Sequence, residues 1–241
     1  MRTRKTLCTL AALSLLMLGG CSSKSYVTPD QGVSLTGIDD ADIEQLFSKK
    51  PASPFPAQLS IVRVASGYND GFEVVQTRDI ESDADLARIA EQPLISQAAP
   101  LSRLLTPNGM KSLKDLRLPA AHMRSDLLLV YTVDTKFYVD STPLGPLTAV
   151  SLGFLPNHQA HVTATVAGIL VDVRSGYIYG STEATAQEEQ RSSTWSTEDA
   201  VAESKNRAEK AAFSRFSEGF PAFWKGVVAK YAKSAPEATA E

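Results

Sequence analysis

The chain opens with a block of positive and then apolar positions that does not belong to a folded domain. After Arg2, Arg4 and Lys5, residues 7–18 are apolar apart from Thr9 and Ser14. That run is shorter than the roughly 20 residues needed to span a bilayer. It fits the ~7–15-residue core of an export signal. Residues 22–37 are then polar, and residues 39–47 carry Ile43, Leu46 and Phe47 at the spacing of one short helix. Pro51, Pro54 and Pro56 interrupt regular structure, so the globular part is expected to start near Ala57.

From there the hydrophobic period changes repeatedly. Residues 59–65 and 72–77 are rich in β-branched positions and predict two strands around a turn containing Gly67 and Gly71. Leu86, Ile89 and Ala90 are spaced as on a helix over residues 82–91. Residues 95–105 are ambiguous, and residues 112–123 predict a helix that Pro119 should shorten. The clearest strand covers residues 126–140. Its first half, Leu127 to Tyr131, is apolar without alternation, as for a strand covered on both faces. Beyond Thr132 it alternates and should become half exposed.

Residues 161–173 and 177–188 form a long hairpin, with Gly176 supplying the positive φ of its turn. Asp172 beside this turn is read as shaping it. Ser196 or Thr197 then starts a long C-terminal helix with apolar positions from Val201 to Tyr231, and Gly219 and Pro221 should kink or split it. These elements predict a single α/β (α+β) domain over residues 57–233. It has a mixed, largely antiparallel sheet, a long C-terminal hairpin and a long C-terminal helix packed on the sheet. Residues 234–241 read as a disordered tail.

Chemistry enters first at the end of the signal. Leu18, Gly19, Gly20 and Cys21 form the pattern of a lipobox: small residues admit a peptidase, and the thiol accepts a diacylglycerol. Cys21 would then be the first residue of the mature chain, after cleavage of residues 1–20. Several acyl chains on one residue anchor a protein stably, where a single chain does not. Residues 21–56 become a lipidated tether. By similarity to lipoproteins of Gram-negative bacteria, Ser22 after the Cys implies sorting to the periplasmic face of the outer membrane.

Charge and sulfur content narrow the function. Three of the 24 basic residues and none of the 27 acidic ones lie in the signal, which leaves a mature net charge of −6. That balance argues against nucleic acid, whose phosphates need a basic face. The other cysteine, Cys8, leaves with the signal, so the mature domain has no free thiol or disulfide. His158 and His161 could bind zinc or copper only with a third ligand. No Asp, Glu or Cys lies in the same short stretch, and they are read as solvated. His122 has no evident partner, and Glu183, Glu188 and Glu189 read as a solvated acidic end of the hairpin. No Gly-x-Ser-x-Gly elbow, phosphate loop or dinucleotide fingerprint occurs. The expectation is a protein without catalytic residues, cofactor or metal.

One stretch is unusual. Residues 143–156 carry no charge where a surface connection should be polar. Burial over the core is one reading. The other makes Leu144, Leu147, Val150, Leu152 and Phe154 a contact for a protein partner or membrane.

Residues 125–156, residues 167–189 and the helix text from Ala202 to Phe213 resemble the rhombotarget lipoprotein family. The most specific pieces are Gly145-Pro146-Leu147 through Pro156 and the turn Asp172-Val173-Arg174-Ser175-Gly176-Tyr177. That family has no assigned catalytic residues. More broadly, the layout is similar to periplasmic lipoproteins of the curli-secretion-channel and Tol-translocation type. The expectation is an outer-membrane-anchored, non-catalytic binding or envelope-assembly module with an unidentified envelope protein as partner, and homo-oligomers are compatible with it. An alternative is an oligomeric pore or secretion subunit inserting residues 134–168 as a hairpin, against which Lys136, His158 and His161 weigh. A hydrolase is a third and weaker reading. A fluorescent probe at Leu147 or Val150 tests the contact: its signal should respond to lipid or to oligomer formation, and indifference to both counts against it.

Overall fold

The computed structural model describes residues 24–27, 40–67, 71–75, 78–141, 158–192 and 197–232. Seven strands form one mixed sheet: β1 (Lys24–Val27), β2 (Ala57–Ser66), β3 (Phe72–Val75), β4 (Ile95–Pro100), β5 (Leu127–Ser141), β6 (His158–Asp172) and β7 (Ile178–Ser192). The helices are α1 (Asp40–Ser48), α2 (Asp83–Ala90), α3 (Leu113–His122) and α4 (Thr197–Tyr231), with a 3₁₀ turn at Arg103–Leu105. The main path through the sheet is β3-β2-β5-β6-β7. β2 runs parallel to β5 and to β4, and the other pairs are antiparallel. Lys24–Val27, within the stretch expected to be a polar tether, pairs with the far half of β5 in line with β2.

The unbroken apolar run of β5 is explained by its neighbours. Leu127, Leu129, Tyr131 and Val133 face one core, with Leu59 and Ile61 of β2 and Val162, Ala164, Val166 and Leu170 of β6. Leu128 and Val130 face a second core, with Val62, Val64, Val171, and Leu116 and Ala120 of α3. The second core ends with α3, so beyond Val130 only one face stays covered. Val133 and Thr135 are buried while Lys136 is exposed, as the alternation predicts.

α4 covers the first face. Ala212, Phe213, Phe216, Phe220, Trp224 and Val227 form a buried stripe at helical spacing. Each of the large side chains contributes about 1.5–3 kcal/mol through burial. Phe216 comes so close to β6 that a Cβ at Gly168 would lie 2.7 Å from its ring. Gly168 is therefore required by a close approach of helix to sheet. The expected break of this helix does not occur: α4 is continuous through Pro221. The buried stripe runs unbroken across that position and holds both halves to one sheet face, which outweighs the roughly 3 kcal/mol helix penalty of proline. Likewise Pro119 does not end α3, which continues to His122 with Pro119 itself buried.

Asp172, at the end of β6, is fully buried. Its Oδ1 accepts the backbone N–H groups of Arg174 and Ser175, both at 2.9 Å, and so builds the turn that Gly176 completes at φ 72°. Its Oδ2 accepts the N–H groups of Ala52 and Ser53 at 2.7 and 2.8 Å, the Ser53 hydroxyl at 2.8 Å and the Tyr179 hydroxyl at 2.9 Å. Burial alone would raise this carboxyl's pKa. The donors from Ser175, Ala52, Ser53 and Tyr179 outweigh burial and hold it below the usual aspartate value.

Two predictions follow from this packing. Gly168→Ala should destabilise the fold by about 1–3 kcal/mol through overpacking against Phe216, measured by urea unfolding. Asp172→Asn should cost at least ~3 kcal/mol, because buried N–H donors lose their acceptor. Because the folded carboxyl titrates below its unfolded value of about 3.9, its stabilisation is present above that pH and is lost as pH falls through the folded value. The wild type should therefore show an acid-induced loss of stability that is smaller in Asp172→Asn, read as the unfolding midpoint between about pH 6 and pH 2.

Candidate functional site

Of the residues singled out for chemistry by sequence, the described ones form one contact, between His161 and Glu189. Cys21 and the contact candidates Leu144, Leu147, Val150, Leu152 and Phe154 lie outside the described residues. His161 faces Glu189 across the hairpin, Nδ1 to Oε1 at 3.2 Å, and His122 is exposed at the end of α3. Glu188 lies 3.6 Å from Arg207, and Glu183 is exposed. Among the described residues, no group of three or more His, Cys, Asp or Glu side chains could hold a metal. No helix among them is long and apolar enough to cross a membrane. One face of the hairpin expected to insert in the pore reading is already occupied. Val162, Ala164 and Val166 pack under α4, and the buried Thr135 hydroxyl donates to Glu209 Oε1 at 2.6 Å.

The structure instead builds a cleft at the edge of β2. β4 pairs with residues Ala57 to Ile61 on that edge, while β3 pairs with Arg63 to Ser66 farther along it. The two strands share one edge and part between Ile61 and Arg63. The gap opens into a cavity of ≈ 700 Å³, walled by Val74, Leu86, Ala87, Ala98 and Leu101. That volume is within the ~300–1,000 Å³ typical of small-ligand sites. Leu104, 97% exposed on the 3₁₀ turn, extends the apolar wall outward. Arg78, Asp83 and Arg103 also line it, and Arg78 lies 4.0 Å from Asp83.

Its polar groups converge for reasons of register. Parallel pairing sets Arg63 of β2 beside Tyr131 of β5. Ile80 is buried in the helix-side core and fixes the chain ahead of α2, where Ser82 caps the helix by accepting the Asp85 N–H at 3.1 Å. Glu81 lies between these two anchors and meets both strands. Its Oε1 accepts the Tyr131 hydroxyl and lies 3.9 Å from Arg63 Nη1. Arg63 makes its closer contact with Asp79, at 2.9 Å. Glu81 Oε2 is buried and has no hydrogen-bond partner.

Burial first, and then the Glu81 carboxylate, push the Tyr131 hydroxyl well above its ordinary pKa. Tyr131 therefore stays protonated and acts as a fixed donor, not as a base. A second network fastens the far wall. Asp85 accepts from Ser217 of α4 and from Arg88, both at 2.8 Å. Burial would raise its pKa, but the bonds from Ser82, Ser217 and Arg88 hold it below the usual range. Trp224 Nε1 donates to the Pro93 carbonyl at 2.7 Å and ties α4 to the loop before β4.

Sequence reasoning missed this site. The available signal was Arg63, a charged residue at the next inward position after Leu59 and Ile61, which requires a partner. The identity of that partner depends on tertiary pairing.

No family model matches the chain, so none supports the rhombotarget resemblance, and no curated protein matches it. Solved structures show distant similarity. A candidate lipoprotein of Caulobacter crescentus aligns over 47% of this chain and 78% of its own, at 14% identity and a TM-score of 0.30. A Xanthomonas campestris protein of the DUF330 family covers 74% and 92%, at 13% and 0.34. PelC of Paraburkholderia phytofirmans, solved as a dodecamer, covers 71% and 92%, at 9% and 0.30. Similarity at this level assigns neither family nor activity.

Proposed function

We propose that this chain is a lipid-anchored envelope protein of the outer membrane, held through Cys21, whose α+β domain binds a ligand and performs no covalent chemistry. The observation that carries the binding reading is the cleft at the β2 edge. It combines apolar wall positions with a cluster of Arg63, Glu81 and Tyr131, and Arg78, Asp83 and Arg103 also line it, a mixture suited to orienting a small molecule. Tyr131 is a locked donor, and Arg63 is held by two carboxylates. These groups recognise charge and hydrogen-bonding pattern. The signal and lipobox of residues 1–21 support the anchor, and Ser22 supports the outer membrane. An envelope protein partner would act from the same tethered position.

Cys21→Ala should move the protein from the membrane fraction to the soluble fraction, and density separation should place the wild type with outer membranes. A variant that stays membrane-bound would remove the anchor from this reading. Native mass spectrometry of the gently extracted wild type should show a bound small molecule. It should be lost in Ala87→Leu, which fills the cleft. An added mass that survives Ala87→Leu would move binding elsewhere.

A further inference from the structure

We infer that the cleft at the β2 edge takes a single-chain amphiphile with an anionic head, a carboxylate or a phosphate monoester, held by Arg78 and Arg103 at the mouth with its hydrocarbon chain inward. This rests on the reading of the cleft as a binding site and specifies the class of its ligand.

The strands place the arginines. Val75 of β3 pairs with Arg63, and just past β4 the Leu101 N–H donates to the Ile61 carbonyl at 2.9 Å. Arg78 follows Val75 closely and Arg103 follows Leu101, so one comes from the β3 side of the gap and one from the β4 side. Both are exposed, and both line the cleft. Among the described residues, the Arg103 guanidinium has no hydrogen-bonding or ionic partner. Arg78 reaches Asp83 only at 4.0 Å, and the Asp83 side chain is fully exposed. Such an exposed pair is worth little and is screened by salt. The carboxylates deeper in are already engaged. Asp79 bonds Arg63 at 2.9 Å, and buried Glu81 faces Arg63 at 3.9 Å and accepts the Tyr131 hydroxyl. What the mouth offers a ligand is therefore guanidinium N–H donors. Arginine forks match the paired oxygens of carboxylates and phosphates, and hydrogen bonds between ionised partners are roughly twice as strong as neutral ones.

The rest of the ligand follows from the walls. Ile61 and Leu101 are buried, Leu86 and Ala98 are half-buried, and Leu104, next to Arg103, is exposed. The apolar lining thus runs from the turn that carries Arg103 down to the floor. A head on the arginines and a chain against these walls satisfy both chemistries, and a cavity of ≈ 700 Å³ has room for a chain of several carbons. Each CH₂ buried there tightens binding about fourfold. A small inorganic anion would use the arginines alone, and an alcohol the walls alone. An amine would face three guanidinium groups, those of Arg63, Arg78 and Arg103.

The test titrates the full-length lipidated protein in non-ionic detergent with hexanoate, hexyl phosphate, acetate, hexanol and hexylammonium at pH 7, by calorimetry against detergent alone. Hexanoate or hexyl phosphate is expected to bind saturably, one per chain and at least about tenfold tighter than acetate or hexanol. The tighter of the two names the head. Replacing both arginines, Arg78→Gln with Arg103→Gln, should bring that anion down to the affinity of hexanol. Both side chains are exposed, so the urea unfolding midpoint of the double variant should match the wild type. Ala87→Leu should abolish binding of both anions. Equal affinity for acetate and hexanoate would mean anion binding at surface arginines only. That result, equal affinity for hexanol and both hexyl anions, preference for hexylammonium, no binding of any probe, or full anion affinity in the double variant would each overturn the inference. If the native ligand is still lost in Ala87→Leu while both anions fail, the cleft remains a binding site and only the anionic head is excluded.

Discussion

Asp172 joins a segment some 120 residues away to the turn beside it and to the next strand. Its carboxylate collects the Pro-rich segment at Ala52 and Ser53, the turn at Arg174 and Ser175, and Tyr179 of β7. Beside it, Asp126 accepts the Gln58 N–H at 3.0 Å and Arg174 Nη2 at 3.1 Å. Together these two aspartates set where β2 begins, where β5 begins and where the β6–β7 hairpin turns. A buried carboxylate is costly unless its lone pairs are filled. Here donors from three segments fill those of Asp172, so the segments are held in one geometry. Arg117 of α3 adds to the same end of the sheet by donating to the Val173 carbonyl at 2.9 Å.

With that end pinned, the rest of the sheet is organised by which faces are covered. α4 and α2 close one face, and α3 closes the near half of the other. The C-terminus of α4 is held at the pinned end by Tyr231, which makes edge-to-face contacts with Tyr177 and Tyr179 at 5.9 and 4.9 Å. Aromatic pairs in this geometry contribute about 0.5–1.5 kcal/mol beyond their area. The helix thus spans from the turn to the far end of the hairpin, and its length matches the long strands beneath it.

The cleft is a consequence of two short strands sharing one edge of β2. β4 and β3 satisfy the edge's backbone groups on either side of Val62, and their divergence leaves room between them. The loop before α2 drops Glu81 into that room, and the Asp85–Ser217–Arg88 contacts fix α2 as its wall. Recognition groups therefore stand on elements held rigid by the core.

Sequence alone determined most of the element types. Hydrophobic period separates α2, α3 and α4 from β2, β5, β6 and β7, because a 3.6-residue and a 2-residue repeat place apolar side chains differently. Gly176 marked the hairpin turn, since a tight turn needs a residue that adopts positive φ without strain. The lipobox is likewise a local chemical pattern. Tertiary structure alone decided three other features. The parallel pairing of β2 with β5, which brings Arg63 to Tyr131, joins strands 68 positions apart and leaves no local trace. The passage of α3 and α4 through Pro119 and Pro221 depends on burial by distant strands, which outweighs a local propensity. The unfilled acceptor on Glu81 exists only because β2, β5 and the α2 cap meet there. A surface glutamate and a buried, half-satisfied one read the same along the chain, and their difference is the loss of solvent that folding imposes.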